Sequence, residues 1–267
     1  MPARFSRLRF SAIFVSISFI METESGAQSD PLIDALFSAG AHFGYRRSKR
    51  HPTAAPFIFG AKGTVEIFDL EKTHTALAAA EEFVRELGKR NRVLLFVGGK
   101  SEASMAVRAG AERIGMPSVS GRWIGGTLTN FAQIRARVER MLDLIAQRER
   151  GELAKYTKKE ALLIGREITR LQALFGGITL LPQLPDALFV VDPRKEHTAV
   201  TEARKKNIPV VALANTDCDF TALTYPIPGN DAARASIAFF VERIAAAYES
   251  GKSQATISAL SNQPALV

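Results

Sequence analysis

Gly121-Arg122-Trp123-Ile124-Gly125-Gly126-Thr127-Leu128-Thr129-Asn130-Phe131 divides the chain into two kinds of sequence. It holds the only tryptophan. Upstream, short β-rich runs alternate with alanine-rich helical stretches. Downstream, residues 132–175 are charged and contain no strand-like run. Apolar residues recur there at Leu128, Phe131, Ile134, Val138, Met141 and Ile145, steps of three or four that place them on one helix face. A second stripe runs through Ala161, Ile164, Ile168, Leu171 and Phe175. Between the stripes, Thr157-Lys158-Lys159-Glu160 has the pattern of a capping box, in which the Thr157 hydroxyl takes an orphan N–H while Glu160 reaches back. The polar turn Arg148-Glu149-Arg150-Gly151 joins the two stripes, so the segment predicts an antiparallel helical hairpin. At about 1.5 Å per residue each arm is roughly 25–30 Å long.

Outward from this hairpin, Arg92–Val97, Ala187–Asp192 and Ile208–Leu213 are continuous apolar runs, the mark of strands buried on both faces of a parallel sheet. Val65–Asp69 alternates like a strand, Met116–Val119 is a brief one, and Tyr225–Asp231 is a last extended piece. Helices are expected from Asp30-Pro31, which supply an N-cap and a first-turn proline, and over residues 71–90 and 196–206. A closing helix, capped by Asn230 or Asp231, is expected to end near Tyr248. Strands alternating with helices predict an α/β fold: a three-layer parallel sheet flanked by helices, Rossmann or flavodoxin-like, with the hairpin inserted as an antiparallel coiled coil. Residues 30–127 and 176–248 then form the core and 128–175 the insertion. The Ser/Gln/Ala-rich residues 249–267 form a flexible tail and 1–29 an N-terminal extension.

A net charge of +8 and a pI near 9.8 favour a polyanionic partner. One cysteine excludes an internal disulfide and any multi-cysteine zinc site. At the N-terminus, Arg4, Arg7 and Arg9 precede an apolar run from Phe10 to Ile20, and no acid appears before Glu22. Three readings stay open there: a signal peptide, an Arg/Ser-rich transit peptide, or an upstream misreading with Met21 as the true start. The run is too short for a membrane span.

The cations concentrate in Gly40-Ala41-His42-Phe43-Gly44-Tyr45-Arg46-Arg47-Ser48-Lys49-Arg50-His51-Pro52. No carboxylate occurs between Asp34 and Glu66, whereas Arg46, Arg47, Lys49, Arg50 and Lys62 all fall in that window. Phe43 and Tyr45 interleave with them, as a surface that stacks bases and neutralises phosphates requires.

Catalytic motifs are incomplete. Gly98-Gly99-Lys100-Ser101 suggests a nucleotide phosphate loop, but the pattern needs glycine five residues before Gly99, where Leu94 stands. A helix N-terminus bearing Lys100 still suits an anion such as an RNA phosphate. Cys218, His197 and Asp192 lie at strand ends, yet no nucleophile elbow, metal spacing or dinucleotide fingerprint accompanies them. Capping and loop satisfaction account for Asp192, Glu196 and Asp217, and His197 reads as a surface or capping histidine. No cofactor, metal or catalytic residue is expected.

Arg122–Phe131, Thr157-Lys158-Lys159-Glu160-Ala161 and Leu184-Pro185-Asp186-Ala187-Leu188-Phe189-Val190-Val191-Asp192 together resemble the bacterial small-subunit ribosomal protein S-two family, over roughly Leu32 to Tyr248. Departures are Tyr45 where that family usually has histidine, Arg50-His51 where it has Trp-Asn, and an exchange of Asp and Asn in Asn215-Thr216-Asp217. The resemblance implies a structural, non-enzymatic protein of the cytoplasmic small ribosomal subunit, an organellar ribosome being left open by the N-terminal extension. It implies a place near the head–body junction, contact with 16S rRNA and neighbouring ribosomal proteins, support of ribosomal protein S-one, and no membrane. The candidate RNA contacts are His42, Phe43, Arg46, Arg47, Lys49, Arg50, Lys62, Lys100, Arg122, Asn130, Lys158 and Lys159. Trp123 and Phe131 are expected to pack at the hairpin base. The alternatives are an α/β enzyme acting on a phosphorylated small molecule, with Gly98–Ser101 as the anion cradle, and a free-standing nucleic-acid adaptor.

Overall fold

The computed structural model describes residues 30–261; the expected N-terminal extension lies outside them. The apolar runs form a five-stranded sheet, all parallel, from β4 (Leu94–Val97), β5 (Ser118–Val119), β6 (Ala187–Val191), β7 (Val210–Ala214) and β8 (Tyr225–Pro228). Its spatial order is β5-β4-β6-β7-β8, so the chain direction across the sheet reverses between β4 and β6. That is the arrangement of flavodoxin-like sheets, with the switch point at the β4–β6 boundary.

Strand periodicity sends alternate residues to opposite faces. Leu94, Phe96, Phe189, Val191, Val211 and Leu213 join one core with α2 (Leu70–Lys89), α3 (Ser101–Ile114) and α7 (Arg234–Ser261). Leu95, Val97, Leu188, Val190, Val210 and Ala212 join the other with Trp123 and α6 (His197–Lys205). Helices thus cover both faces of the parallel sheet, as expected.

The two helical stripes appear as α4 (Phe131–Glu149) and α5 (Lys158–Phe175), with the Thr157–Glu160 capping box formed. Ile134, Val138 and Met141 of α4 and Phe175 of α5 are buried in the second core, beside Leu188 and Val190. The near end of this helix pair is therefore part of the domain interior. Asp30 caps α1 (Pro31–Ser38), its side chain accepting from Leu32 N at 2.9 Å. Asn230 Oδ1 accepts from Ala232 N at 2.9 Å ahead of α7.

Two features depart from the sequence reading. The cationic stretch, for which the sequence predicts no strand, contains β1 (Phe43–Arg46). With β2 (Ile58–Lys62) and β3 (Val65–Phe68) it makes a separate antiparallel sheet in the order β1-β3-β2. β3 is the alternating run expected at Val65–Asp69; β1 and β2 are short, and glycine, cations and a bulge in the β2–β3 register break their alternation. The closing helix also runs on past Tyr248 to Ser261, into the segment expected to be a flexible tail. The reason lies in its crossing with α2. Gly88 of α2 abuts the Tyr248 carbonyl, and Gly251 of α7 abuts the Arg85 carbonyl, each so closely that a Cβ would overlap the facing backbone. Arg243 clamps the same pair, donating to both oxygens of Glu81 at 2.6 and 3.0 Å.

One buried side chain organises the Gly121–Phe131 hinge. Glu202 of α6, 6% exposed, accepts from Trp123 Nε1 at 3.2 Å and Gly126 N at 2.8 Å through Oε1. Its Oε2 accepts from Leu128 N at 2.9 Å, Thr129 N at 3.1 Å and the Thr129 hydroxyl at 3.1 Å. Burial alone would raise the carboxyl pKa, but the donors from Gly126, Leu128, Thr129 and Trp123 outweigh it and hold it below the usual glutamate range.

Two outcomes follow for stability. Gly88→Ala, which in an exposed helix would stabilise by up to about 1 kcal/mol, is expected here to destabilise by about 1–3 kcal/mol in urea unfolding, because the crossing cannot open without backbone shifts. Glu202→Gln, which leaves N–H donors facing an amide, is expected to cost about 3 kcal/mol at neutral pH. A folded-state carboxyl pKa below the unfolded one gives stability that is complete above about pH 4.3 and is lost as pH falls through the folded value. The variant is therefore expected to lack that part of the wild-type loss in acid, as read from unfolding midpoints against pH.

Candidate nucleic-acid interface

The N-terminal antiparallel sheet carries the acid-free window. Arg46, Arg47, Lys49 and Lys62 are exposed there, and none has a carboxylate within ion-pair distance among the described residues. The Lys49 ammonium lies 5.7 Å from the centre of the Tyr45 ring, a cation–π contact that aligns a cation beside an aromatic face. Phe43 is 44% exposed, and Phe37 and Phe59 stand further out, at 62% and 81%.

Two candidates of this window, His42 and Arg50, are engaged within the protein itself. His42 is buried, stacked on Phe37 at 4.5 Å between ring centres and against Phe43 at 4.0 Å. Burial, and then the Lys62 charge, lower its pKa, so the ring is neutral at neutral pH and props the two phenylalanines. Arg50 pairs with Glu66 at 3.2 Å, whose side chain is 2% exposed. Without Arg50 that buried carboxylate has no counter-charge.

Lys100 is a third such case, and it explains what became of the crevice where sheets of this type bind ligands. At the β4–β6 switch point the Lys100 ammonium lies 3.2 Å from Asp192, 3.4 Å from Asp231 and 3.2 Å from the Tyr45 hydroxyl. Burial would lower its pKa, but Asp231, Asp192 and Tyr45 more than offset that and raise it. Asp231 is itself pushed up, first by burial and then by Asp192, and accepts from Asn215 Nδ2 at 2.7 Å. Asn215 therefore works as an amide donor in a position read as Asp in the resembling family. The strand β1 closes over this cluster: Tyr45 N donates to the Thr216 hydroxyl at 3.0 Å and His51 N to the Thr216 carbonyl at 2.8 Å. Glu196 accepts from Gly99 N at 3.2 Å, so the glycine-rich turn is occupied by a carboxylate of the protein itself. Cys218 is 1% exposed and burial pushes its thiol pKa up, away from a reactive thiolate. Among the described residues no group of three or more His, Cys, Asp or Glu could hold a metal ion, and no helix is long and apolar enough to cross a membrane.

The remaining candidates lie around the helix pair. Arg122 and Asn130 are exposed at its root and Lys158 and Lys159 at the start of α5; none of the three cations is ion-paired among the described residues. Trp123 and Phe131 pack into the second core, as expected. Arg137, Arg140, Arg166 and Arg170, which are not among the sequence-based candidates, are exposed and have no ion pair among the described residues. Lys159, Arg166 and Arg170 are separated by seven and four positions, which puts them on one line along α5 at about 100° per residue. That spacing was visible in the sequence as the polar complement of the apolar stripe.

A model of the ribosomal protein S2 family matches residues 36–251. The small ribosomal subunit protein uS2 of Roseiflexus sp. (strain RS-1) is 44% identical over 229 residues, 86% of this chain and 87% of that protein. The protein of the same name from Coprothermobacter proteolyticus is 43% identical over 217 residues, 81% of each chain. That from Chloroflexus aurantiacus is 44% identical over 213 residues, 80% of this chain and 90% of the relative. A parallel sheet whose ligand crevice is filled by its own side chains, ringed by unpaired cations, agrees with what these similarities establish: the chain belongs to the ribosomal protein S2 family, a structural family and not one of enzymes.

Proposed function

We propose that this protein is a structural constituent of a bacterial-type, cytoplasmic small ribosomal subunit, where it binds 16S rRNA near the head–body junction. The observation that carries the RNA contact is the sorting of its cations. Arg46, Arg47, Lys49 and Lys62 of the acid-free window and Arg122, Lys158 and Lys159 around the helix pair are exposed without carboxylate partners among the described residues, whereas Arg50 and Lys100 are spent on the fold. The mechanism is electrostatic and geometric: Arg46, Arg47, Lys49, Lys62, Arg122, Lys158 and Lys159 neutralise phosphates and release counterions, while the rigid sheet fixes where they stand. Phe43 and Asn130 add stacking and hydrogen-bonding contacts; His42, Arg50 and Lys100 act behind the surface by holding β1 and its aromatics in place.

In this reading residues 30–127 and 176–248 form the core, extended by α7 to Ser261, and 128–175 an inserted coiled-coil arm anchored in the second core layer. The exposed aromatics Phe37, Phe43 and Phe59 support a docking role toward a neighbouring ribosomal protein, for which we propose S-one.

Changing Arg46, Arg47 and Lys49 together to Gln is expected to lower the slope of log affinity against log salt by about two to three for small-subunit RNA, with the melting temperature unchanged. Arg50→Gln should do the reverse, leaving the slope within about one of wild type but destabilising the fold by about 3 kcal/mol. Filter binding across a salt series, alongside thermal melts, separates the two; a triple variant with wild-type slope and affinity would sink the RNA-contact assignment.

A further inference from the structure

Beside the sealed switch point, at the carboxyl ends of β6 and β7, a cavity of about 290 Å³ stays open to solvent. Its floor is apolar, with Val200 of α6 and Ala222 and Leu223 of the β7–β8 connection. Its rim is polar and aromatic, with His51, His197, Arg194, Arg204, Asp217 and Asp219. The rim charges sort cleanly. Arg194 donates to Asp217 at 2.6 Å, and Asp219 accepts from Thr221 N at 3.0 Å and the Thr221 hydroxyl at 2.7 Å. Arg204 has no carboxylate partner among the described residues. The His51 ring is fixed through Nδ1, 2.8 Å from the Thr53 hydroxyl, and its Nε2 has no partner there.

We propose that this cavity takes one unstacked nucleotide of a single-stranded RNA segment, its base against the His51 and His197 rings over the apolar floor and its phosphate on Arg204. The inference rests on the RNA-binding reading above and names a site within it. The cavity is close to the lower end of the range of small-ligand sites, about 300–1,000 Å³, which suits one nucleotide and not a duplex. An apolar floor edged by rings and a guanidinium is the chemistry that holds a splayed base, whereas a duplex keeps its bases stacked and turned inward. Continuity supplies the strand: His51 directly follows Arg46–Arg50, so RNA whose phosphates lie along that run reaches the cavity at the next residue. Asp217 and Asp219 keep acceptor capacity for the exocyclic amino group of a base.

The test uses the full chain with fluorescein-labelled hexauridylate, hexaadenylate and a blunt RNA duplex, titrated over a salt series. His51→Ala/His197→Ala is expected to weaken binding of at least one single strand about tenfold, in line with the loss of base stacking, with the salt slope and duplex affinity unchanged. Arg204→Gln is expected to lower the single-strand slope by about one. The Arg46/Arg47/Lys49→Gln variant, measured in parallel, separates the two levels of the argument. If it loses slope while the histidine variant binds both single strands like wild type, the cavity is not a nucleotide site and the RNA-binding reading stands. If the triple variant also behaves as wild type, both fall. An equal loss on single strands and duplex after the histidine change would also overturn the cavity, since the rings would then act as charges. So would wild-type single-strand binding by that variant together with a neighbouring protein shielding both histidines from diethyl pyrocarbonate in the assembled subunit, which would mark a protein contact.

Discussion

Five donors converge on the Glu202 carboxylate, all of them from the seven hinge residues Trp123 to Thr129. A charge at this depth is tolerated because its lone pairs are filled, and the filling fixes the path of the backbone from Trp123 to Thr129. That path sets where α4 begins. From there Ile134, Val138 and Met141 reach the underside of β6, and α5 returns to bury Phe175 in the same layer. The direction in which Lys158 and Lys159 project is thus decided by an acid on a different helix, more than forty positions further along the chain.

The second organising choice is the use of the carboxyl edge of the sheet. In ligand-binding members of this architecture that edge is where a crevice opens. Here β1 lies across it, held by Thr216 and by the Lys100–Asp192–Asp231–Tyr45 cluster. Basic residues are consequently divided between two tasks. Those beneath the antiparallel sheet neutralise buried carboxylates, and those above it remain available to an external polyanion.

How much of this could be read from sequence depends on the range of the interaction. The parallel strands were legible because four to six consecutive apolar residues have few other destinations. The helix pair was legible because its stripes keep helical spacing over several turns, and the Thr157–Glu160 cap because it is local. Of the antiparallel sheet only Val65–Asp69 was legible, through its alternation; β1 and β2 are four and five residues long, and β1 is seated by Thr216, more than 150 positions away. For the same reason composition nominated Arg50 and Lys100 alongside Arg46 and Lys49. A cation's type is written in the sequence; whether a carboxylate such as Glu66 or Asp192 has already claimed it is not. The extent of α7 was hidden in Gly251, which reads as a helix-breaking residue until Arg85 is placed against it.

That α2–α7 crossing joins residues 85–88 to residues 248–251, a separation of at least 160 positions. Contacts of such separation form late, because the loop between them must close before they repay its entropy. On a chain emerging N-terminus first, the sheet face bearing Phe96, Phe189 and Val211 is therefore only partly covered, by α2 and α3, until α7 has been made. The last helix among the described residues is the one that shuts the first core, and a nascent chain of this protein carries a half-covered apolar face from the making of β7 until α7 follows it.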